Sequence, residues 1–427
     1  MKGRLNLFQA SMLRWRALHP YNAVHVVGIE KPQDESRLAA AIDAELTAAG
    51  LTGLVLDSAH LRYEYRGGPA KFALTMIADD GDGERTLCSE IERQLNLPFP
   101  PDGPLEPLRF FALRTPAGFR LGLAYDHFIA GGDSIVLLLK GIVARYGGAP
   151  REGPYPGLYP PTLAAVFMRN FGKLAAGLPS LARIAASSSR GVLPRYADDA
   201  DGHNGFRYVR VDAPALATLL ARTKAWSVTF NDLMLAVLLR ALSSQWPDRD
   251  PSRRRSEIAL ASVVNLRGET GADVRAMFGQ FLSSIRVSHP VPADVTLEQL
   301  ARDVHHETAR VKAGKLYLQT LLVVHVNGFI WRFLDTRRRH RVYAKAFPVL
   351  AGLTTLNVNA LWNPRGVEEV PRDYLRAVPT GPLAPLLVAV TSCGNALQLG
   401  LSYRRSARIA PIDQIAESIT TCLRSLE

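Results

Sequence analysis

Residues 119–134, Phe-Arg-Leu-Gly-Leu-Ala-Tyr-Asp-His-Phe-Ile-Ala-Gly-Gly-Asp-Ser, constrain the fold of this chain more than any other stretch. At strand spacing, Phe119, Leu121, Leu123, Tyr125 and His127 fall on one face, and Arg120, Gly122, Ala124 and Asp126 on the other. The pattern predicts an apolar strand that ends in a histidine. Gly131 and Gly132 then free the backbone for a tight turn, and Asp133 or Ser134 can cap a helix that starts at Ile135 and stops at Gly147 and Gly148. A neutral imidazole at such a strand end, beside a cleft, can take the proton from a hydroxyl or amine as that group attacks a thioester carbonyl. Spacing alone also fits a histidine that only hydrogen-bonds there, the commoner fate of a single histidine.

The chain has 427 residues, 47% of them hydrophobic, enough for a large core and two or three domains. Its first nine residues lack the apolar core of a signal peptide, and no run of about 18 apolar residues occurs, so a cytoplasmic protein without a membrane span is expected. Cys88, Cys393 and Cys422 are scattered and odd in number, which fits reduced, structural thiols. The histidines are scattered too, apart from His305 and His306, and no metal-ligand spacing presents itself. A net charge of +12 favours acidic partners, among which nucleic acid, anionic lipid, coenzyme A and an acidic carrier protein all qualify. The basic residues are not interleaved with aromatics and no zinc-finger, RNP or KH pattern occurs, so nucleic acid is not expected as a partner.

Residues 1–150 alternate strands and helices. Strands are expected at 22–29, 107–113 and 119–126, the last two antiparallel around the turn 116–118, and helices at 35–49 and 85–95. Residues 147–205 are rich in proline, glycine, serine and alanine, with a helix expected at 161–186. The domain boundary is placed in this linker, giving a first lobe over 1–190 and a second over 206–427. The second half reads as strand 206–211, helix 213–225, helix 229–242, strands 258–265, 281–288, 354–361, 386–392 and 396–403, and a closing helix 412–425. Its order loosely echoes the first half.

These residues resemble the chloramphenicol-acetyltransferase-like superfamily, which holds nonribosomal-peptide condensation domains, wax ester synthases and polyketide-associated acyltransferases. Its signature is His-His-x-x-x-Asp-Gly, often with a serine two residues later. Here the window holds Asp126, His127, Gly131, Gly132, Asp133 and Ser134, so the second histidine, the glycine and the serine match, and the first histidine and the aspartate do not. Further matches follow in the family's order: Pro20-Tyr21-Asn22, Leu97-Pro98-Phe99, Pro107-Leu108-Arg109, Asn231-Asp232, Val264-Asn265-Leu266-Arg267 and Phe278-Gly279-Gln280. The resemblance implies an α+β fold of two similar lobes set as a V, a pseudo-dimer with a tunnel between them and His127 near its middle. Donor and acceptor would enter from opposite mouths. It also implies that the motif aspartate is architectural and pairs with an arginine at the position of Arg267. Gly131 removes that carboxylate, and Asp133 is the expected replacement, ahead of Asp126, which points off the opposite face.

The resemblance implies a free-standing acyltransferase, with His127 as general base and acyl-coenzyme A or a phosphopantetheine-linked acyl group as substrate. Neither a metal nor a nucleotide or redox cofactor is expected. Transfer would run directly to a small alcohol or amine, because no cysteine or serine sits in a nucleophile motif. Asp126, Gly132, Asp133, Ser134, Arg267, Asn231, Asn357 and Asn359 are expected to bind substrate or support the site. Asn231 with Asp232 fits a helix cap as well as a tunnel wall, and Asn357 and Asn359 share a face of the strand expected at 354–361. A monomer is expected, since two-lobed relatives complete their site within one chain. A second reading is a non-catalytic relative that binds an acyl chain or carrier protein. A third rests on Trp331 to Arg341, a basic run after the apolar residues 317–330. It could lie peripherally on an anionic membrane, meet an acidic carrier or the phosphates of coenzyme A, or form only a solvated helix face. His325 and Asn327 in the apolar segment argue against a lipid-spanning role.

Overall fold

The alternating residues 119–126 form the central strand of a five-stranded sheet. In the structure, a computed structural model, Leu121, Leu123 and Tyr125 of strand Gly118–Asp126 are buried on one face, and Ala124 and Asp126 on the other. The structure describes all residues except 79–80, 150–156, 160–163, 246–253, 271–276, 365–369 and 427. Strand Gly118–Asp126 pairs antiparallel with Asn22–Ile29 and with Leu108–Thr115. Gly122 permits that second pairing to be tight, because a Cβ there would lie 2.0 Å from the Phe111 ring. Ala73–Ile77 adds a parallel strand beyond Leu108–Thr115, and Tyr374–Ala377 adds an antiparallel one beyond Asn22–Ile29. One face of this five-stranded sheet packs on helices Glu35–Ala48 and Gly132–Tyr146 through Leu38, Ile42, Ile135 and Leu139. The other packs on helix Gly83–Asn96 through Leu87, Ile91 and Leu95.

The second lobe is built on a six-stranded mixed sheet in the order Leu282–His289, Ile258–Asn265, Ala351–Asn357, Leu386–Cys393, Ala396–Arg404, Asn204–Val211. Its core holds helix Phe230–Ser243, apolar almost all round and buried accordingly, with Leu300 and Val304 of helix Leu297–Ala313 and Ile415 and Ile419 of helix Ile412–Arg424. A small four-stranded sheet, Lys2–Arg4, Arg62–Tyr65, Leu54–Asp57 and Gly103–Leu105, flanks the first lobe. The architecture is the expected α+β pair of lobes. Among the described residues no single helix is long and apolar enough to cross a membrane.

Four expectations are corrected. Strand Tyr374–Ala377 comes from the second half of the chain but completes the first lobe's sheet, so the division at 190–206 is not the spatial one. The helix expected at 161–186 is three helices, Ala164–Arg169, Phe171–Ala176 and Pro179–Arg190. Gly177 and Pro179 interrupt it, as glycine and proline do, and residues 161–163 lie outside the described residues. The strand expected at 354–361 ends at Asn357, whose side chain accepts from the Ala360 N–H and caps helix Val358–Trp362. The helix expected from Ile135 begins at Gly132, with Gly131 as N-cap and no side-chain cap. Asp133 and Ser134 are engaged elsewhere.

Candidate active site

His127 follows directly on its strand and is held by backbone contacts on both sides. Its N–H donates to the Tyr21 carbonyl at 3.0 Å. Gln280, from the second lobe, donates through Nε2 to the carbonyls of His127 and Ala130, the latter at 2.5 Å. The imidazole lies between Tyr21 and Tyr125, ring centroids 5.6 and 5.7 Å away. It is 7% exposed, and its Nδ1 is buried without a hydrogen-bond partner. Burial pushes its pKa down to about 4, and the Arg376 charge pushes the same way. The ring is neutral at physiological pH, the state a proton acceptor needs.

The turn after His127 is fastened to the second lobe. Gly131 N–H donates to the Gly279 carbonyl at 3.0 Å. Ser134 Oγ accepts from Arg267 Nη2 at 2.7 Å and from the Gly279 N–H at 3.1 Å, and reaches the Gly279 carbonyl at 3.2 Å. Asp133 Oδ2 accepts from Asn265 at 2.5 Å and lies 3.5 Å from Arg267 Nε. Arg267 also donates to the Met277 carbonyl at 2.8 Å and lies 4.2 Å over the Phe281 ring. Burial lowers its pKa, with Asp133 pulling it back. The partner expected for Arg267, Asp133, does form an ion pair with it at 3.5 Å, while a hydroxyl and a carbonyl lie closer, at 2.7 and 2.8 Å. At Gly131, where the family motif has its aspartate, a Cβ would lie 3.3 Å from Gln280 Oε1, a buried oxygen without a partner. Gln280 therefore occupies the neighbourhood that the carboxylate would enter.

Asp126 stands apart from this group. It is fully buried and paired with Arg16 of helix Leu7–Arg16, and burial raises its pKa to about 6 against the pull of that arginine. It anchors the first helix to the sheet.

Beside His127 lies a polar cluster that sequence reasoning missed. His25, Tyr125, Tyr374 and Arg376 share the sheet face under helix Gly132–Tyr146, with Arg376 directly opposite His25 in register. His25 Nδ1 and the Tyr374 hydroxyl are 2.8 Å apart, and burial pushes the His25 pKa well below its ordinary value. Arg376 is 3% exposed and donates from Nε to Thr391 Oγ1 at 2.8 Å and from Nη2 to the carbonyls of Thr354 and Val390 at 3.0 and 2.8 Å. Burial lowers its pKa to about 10. No carboxylate forms an ion pair with it among the described residues. Its Nη1 is aimed at the helix start, 3.3 Å from where a Cβ on Gly132 would be. The signal was the alternation Tyr374, Leu375, Arg376, Ala377, but four residues are too few to declare a strand against flanking prolines.

Asn231, Asn357 and Asn359 border one cleft of about 800 Å³ in the second lobe, together with Thr229, Thr355, Leu356 and Ser392. Among the described residues no charged one lines it. Asn231 donates to Ser262 Oγ at 3.3 Å and accepts from Thr355 at 3.3 Å. Asn359 exchanges two hydrogen bonds with Gly394, at 2.9 and 2.7 Å. Asp232 is structural: it forms a capping box with Thr229 and accepts from His305 at 2.8 Å and Thr308 at 2.7 Å. His127, Asp126, Gly132, Asp133, Ser134 and Arg267 do not line the cleft. Leu356 joins the two regions, since it lines the cleft and its Cδ2 lies 3.6 Å from where a Cβ on Gly132 would be. Among the described residues no group of His, Cys, Asp and Glu side chains is placed to hold a metal.

No protein-family model matches the chain, and no curated protein does. Solved structures match over its whole length. The epimerization domain from the third module of tyrocidine synthetase B is 14% identical, with a TM-score of 0.66, covering 100% of this chain and 97% of that one. The EpoB cyclization-docking bidomain from Sorangium cellulosum is 14% identical, with a TM-score of 0.69 and coverage of 100% and 83%. The X-domain from teicoplanin biosynthesis, which also occurs in a complex with OxyB, is 16% identical, with a TM-score of 0.57 and coverage of 99% and 94%. These likenesses establish the fold.

Proposed function

We propose that this chain, built on the two-lobed fold of condensation domains, transfers an acyl group from a coenzyme A or carrier-protein thioester to a hydroxyl or amine. Proteins of this fold include condensation, epimerization and cyclization domains, so the reading rests on the site. The observation that carries it is His127: a buried, neutral imidazole at the end of a central strand, next to a buried guanidinium that has no carboxylate ion pair among the described residues. In the reaction, His127 takes the proton as the acceptor's oxygen or nitrogen bonds to the thioester carbonyl carbon. The carbonyl oxygen becomes an oxyanion. Arg376 and the amino-terminal end of helix Gly132–Tyr146 supply positive potential on that side of the ring. The carbon–sulfur bond then breaks, the thiolate takes the proton back from the imidazolium, and a free thiol and an ester or amide leave. The cleft, walled by apolar side chains such as Leu216, Leu220, Phe230 and Val390 as well as by amides and hydroxyls, and without a charged residue among the described ones, suits the neutral arm of a pantetheine thioester or a neutral acceptor. Asn231, Asn357 and Asn359 would bind there, and Asp133, Ser134 and Arg267 would hold the lobes in register. The acyl thioester is substrate, and the scheme calls on no cofactor.

A second reading has one observation in its favour. Gln280 stands where the motif carboxylate would enter, which fits a relative that binds a thioester or carrier without turning it over. Thiol release and product mass, measured over a panel of acyl thioesters with mixed alcohols and amines for the native chain and His127→Ala, separate the readings. Acceptor-dependent product that collapses in the variant is expected. Equal product from both proteins would remove His127 as base, and thioester binding without product from either would favour the binding protein.

A further inference from the structure

Eight of the twelve large apolar side chains most exposed among the described residues are concentrated on two neighbouring segments. Leu322, Val326, Phe329, Ile330 and Phe333 run at helical spacing along the outside of helix Tyr317–Ile330 and the turn after it, with the Phe329 and Phe333 rings 5.4 Å apart. Met168 and Phe171 lie on the short helices Ala164–Arg169 and Phe171–Ala176, and Leu178 just ahead of helix Pro179–Arg190, whose Ser180 donates to Gln319 near the start of the apolar helix at 2.7 Å. Phe171 is 73% exposed, Phe329 61% and Phe333 74%. Such a concentration on a soluble surface marks a contact.

The next helix, Thr336–Ala346, supplies the charge. Arg337, Arg341 and Lys345 recur every four residues on its exposed face, while His340 is buried. Arg341 pairs with Asp199, but Arg337 and Lys345 have no acidic partner among the described residues. The helix folds back on the end of the apolar stripe, where Arg339 donates to the Trp331 carbonyl at 3.3 Å. Aromatic rings that stand this far out of the surface would need a matching groove in a protein partner, whereas the headgroup region of a bilayer yields around them.

We infer that this face seats peripherally on an anionic lipid bilayer, its apolar stripe entering the headgroup layer and its basic helix lying against the lipid charge. The inference does not rest on the reaction proposed above, because binding is read without turnover. The test is sedimentation of the full chain with phosphatidylcholine vesicles, with and without phosphatidylglycerol. Binding to the anionic vesicles alone is expected, weakening with salt. Arg337→Ala and Lys345→Ala should each weaken it about fivefold, and Phe329→Ser with Phe333→Ser should abolish it. All four positions are exposed, so an unchanged thermal midpoint checks that the variants fold. No binding by the native chain to anionic vesicles overturns the inference, as does binding that survives the serine pair. Failure on vesicles together with capture of an acidic carrier protein that the alanine pair loses would assign the face to a protein instead.

Discussion

His127 and Arg376 carry different tests because burial acts on each differently. The ordinary histidine pKa of 6.5 is pushed down to about 4 at His127, so the base stays unprotonated well into acid. We expect kcat/KM to hold level from neutral pH to about 5 and to fall near 4. An acid limb near 6.5 would mean that the reacting base is a solvated histidine elsewhere. His127→Ala should lower turnover by about 10²- to 10⁴-fold with thioester binding retained. Arg376→Met should lower kcat by about 10²- to 10³-fold, with KM little changed. It should also destabilise the fold by about 1–3 kcal/mol, since the Thr354 and Val390 carbonyls lose a donor. Unchanged kcat in a folded Arg376→Met protein would remove the guanidinium from the chemistry. His127 was legible because its strand alternates over nine residues. His25 and Arg376 were not, because a polar side chain on an otherwise apolar strand reads as noise until the register across strands is known.

The segment from the end of strand Gly118–Asp126 into helix Gly132–Tyr146 is held by bonds that cross between the lobes, not by local capping. Its sequence had the right residues and the wrong geometry. Asp133 and Ser134 suit an N-cap, but the helix begins one turn earlier in their sequence, and both side chains turn to Asn265, Arg267 and Gly279. The same competition misled the sequence at Asn357, where a cap ended a strand that apolar spacing would have continued. Ser134→Ala should cost about 1–3 kcal/mol by leaving Arg267 and the Gly279 N–H short of an acceptor, read as a lower thermal midpoint. Gly131→Asp, which introduces the aspartate of the motif that the sequence resembles, should also lower the midpoint, because its Cβ would press on Gln280 Oε1. Adding Gln280→Ala should recover part of the loss. A Gly131→Asp protein as stable as the native chain would show that Gln280 can step aside.

Over the whole molecule, the buried histidines set the response to acid. His19 and His127 are pushed down to about 4, His25 well below 6.5, and His340 also downward, so between about 6.5 and about 4 the unfolded chain binds more protons than the folded one. Their contribution is complete above 6.5 and is lost as the pH falls through that window. Asp126, raised from 3.8 to about 6, works the other way within part of the same range. Four histidines against one carboxyl predict a thermal midpoint that drops between pH 7 and pH 5, and a flat or rising midpoint would contradict the burial of these rings. The two-lobed α+β plan was legible from the order of elements in each half. The short strand Tyr374–Ala377 was not, and it changes what the linker means. Although the chain is continuous there, the first half by itself would present Asn22–Ile29 as an open edge, an invitation to aggregate. A gene broken before residue 204 should therefore yield a first fragment that is insoluble alone and is rescued when the second is made beside it, a ready-made split protein whose halves report on each other's presence.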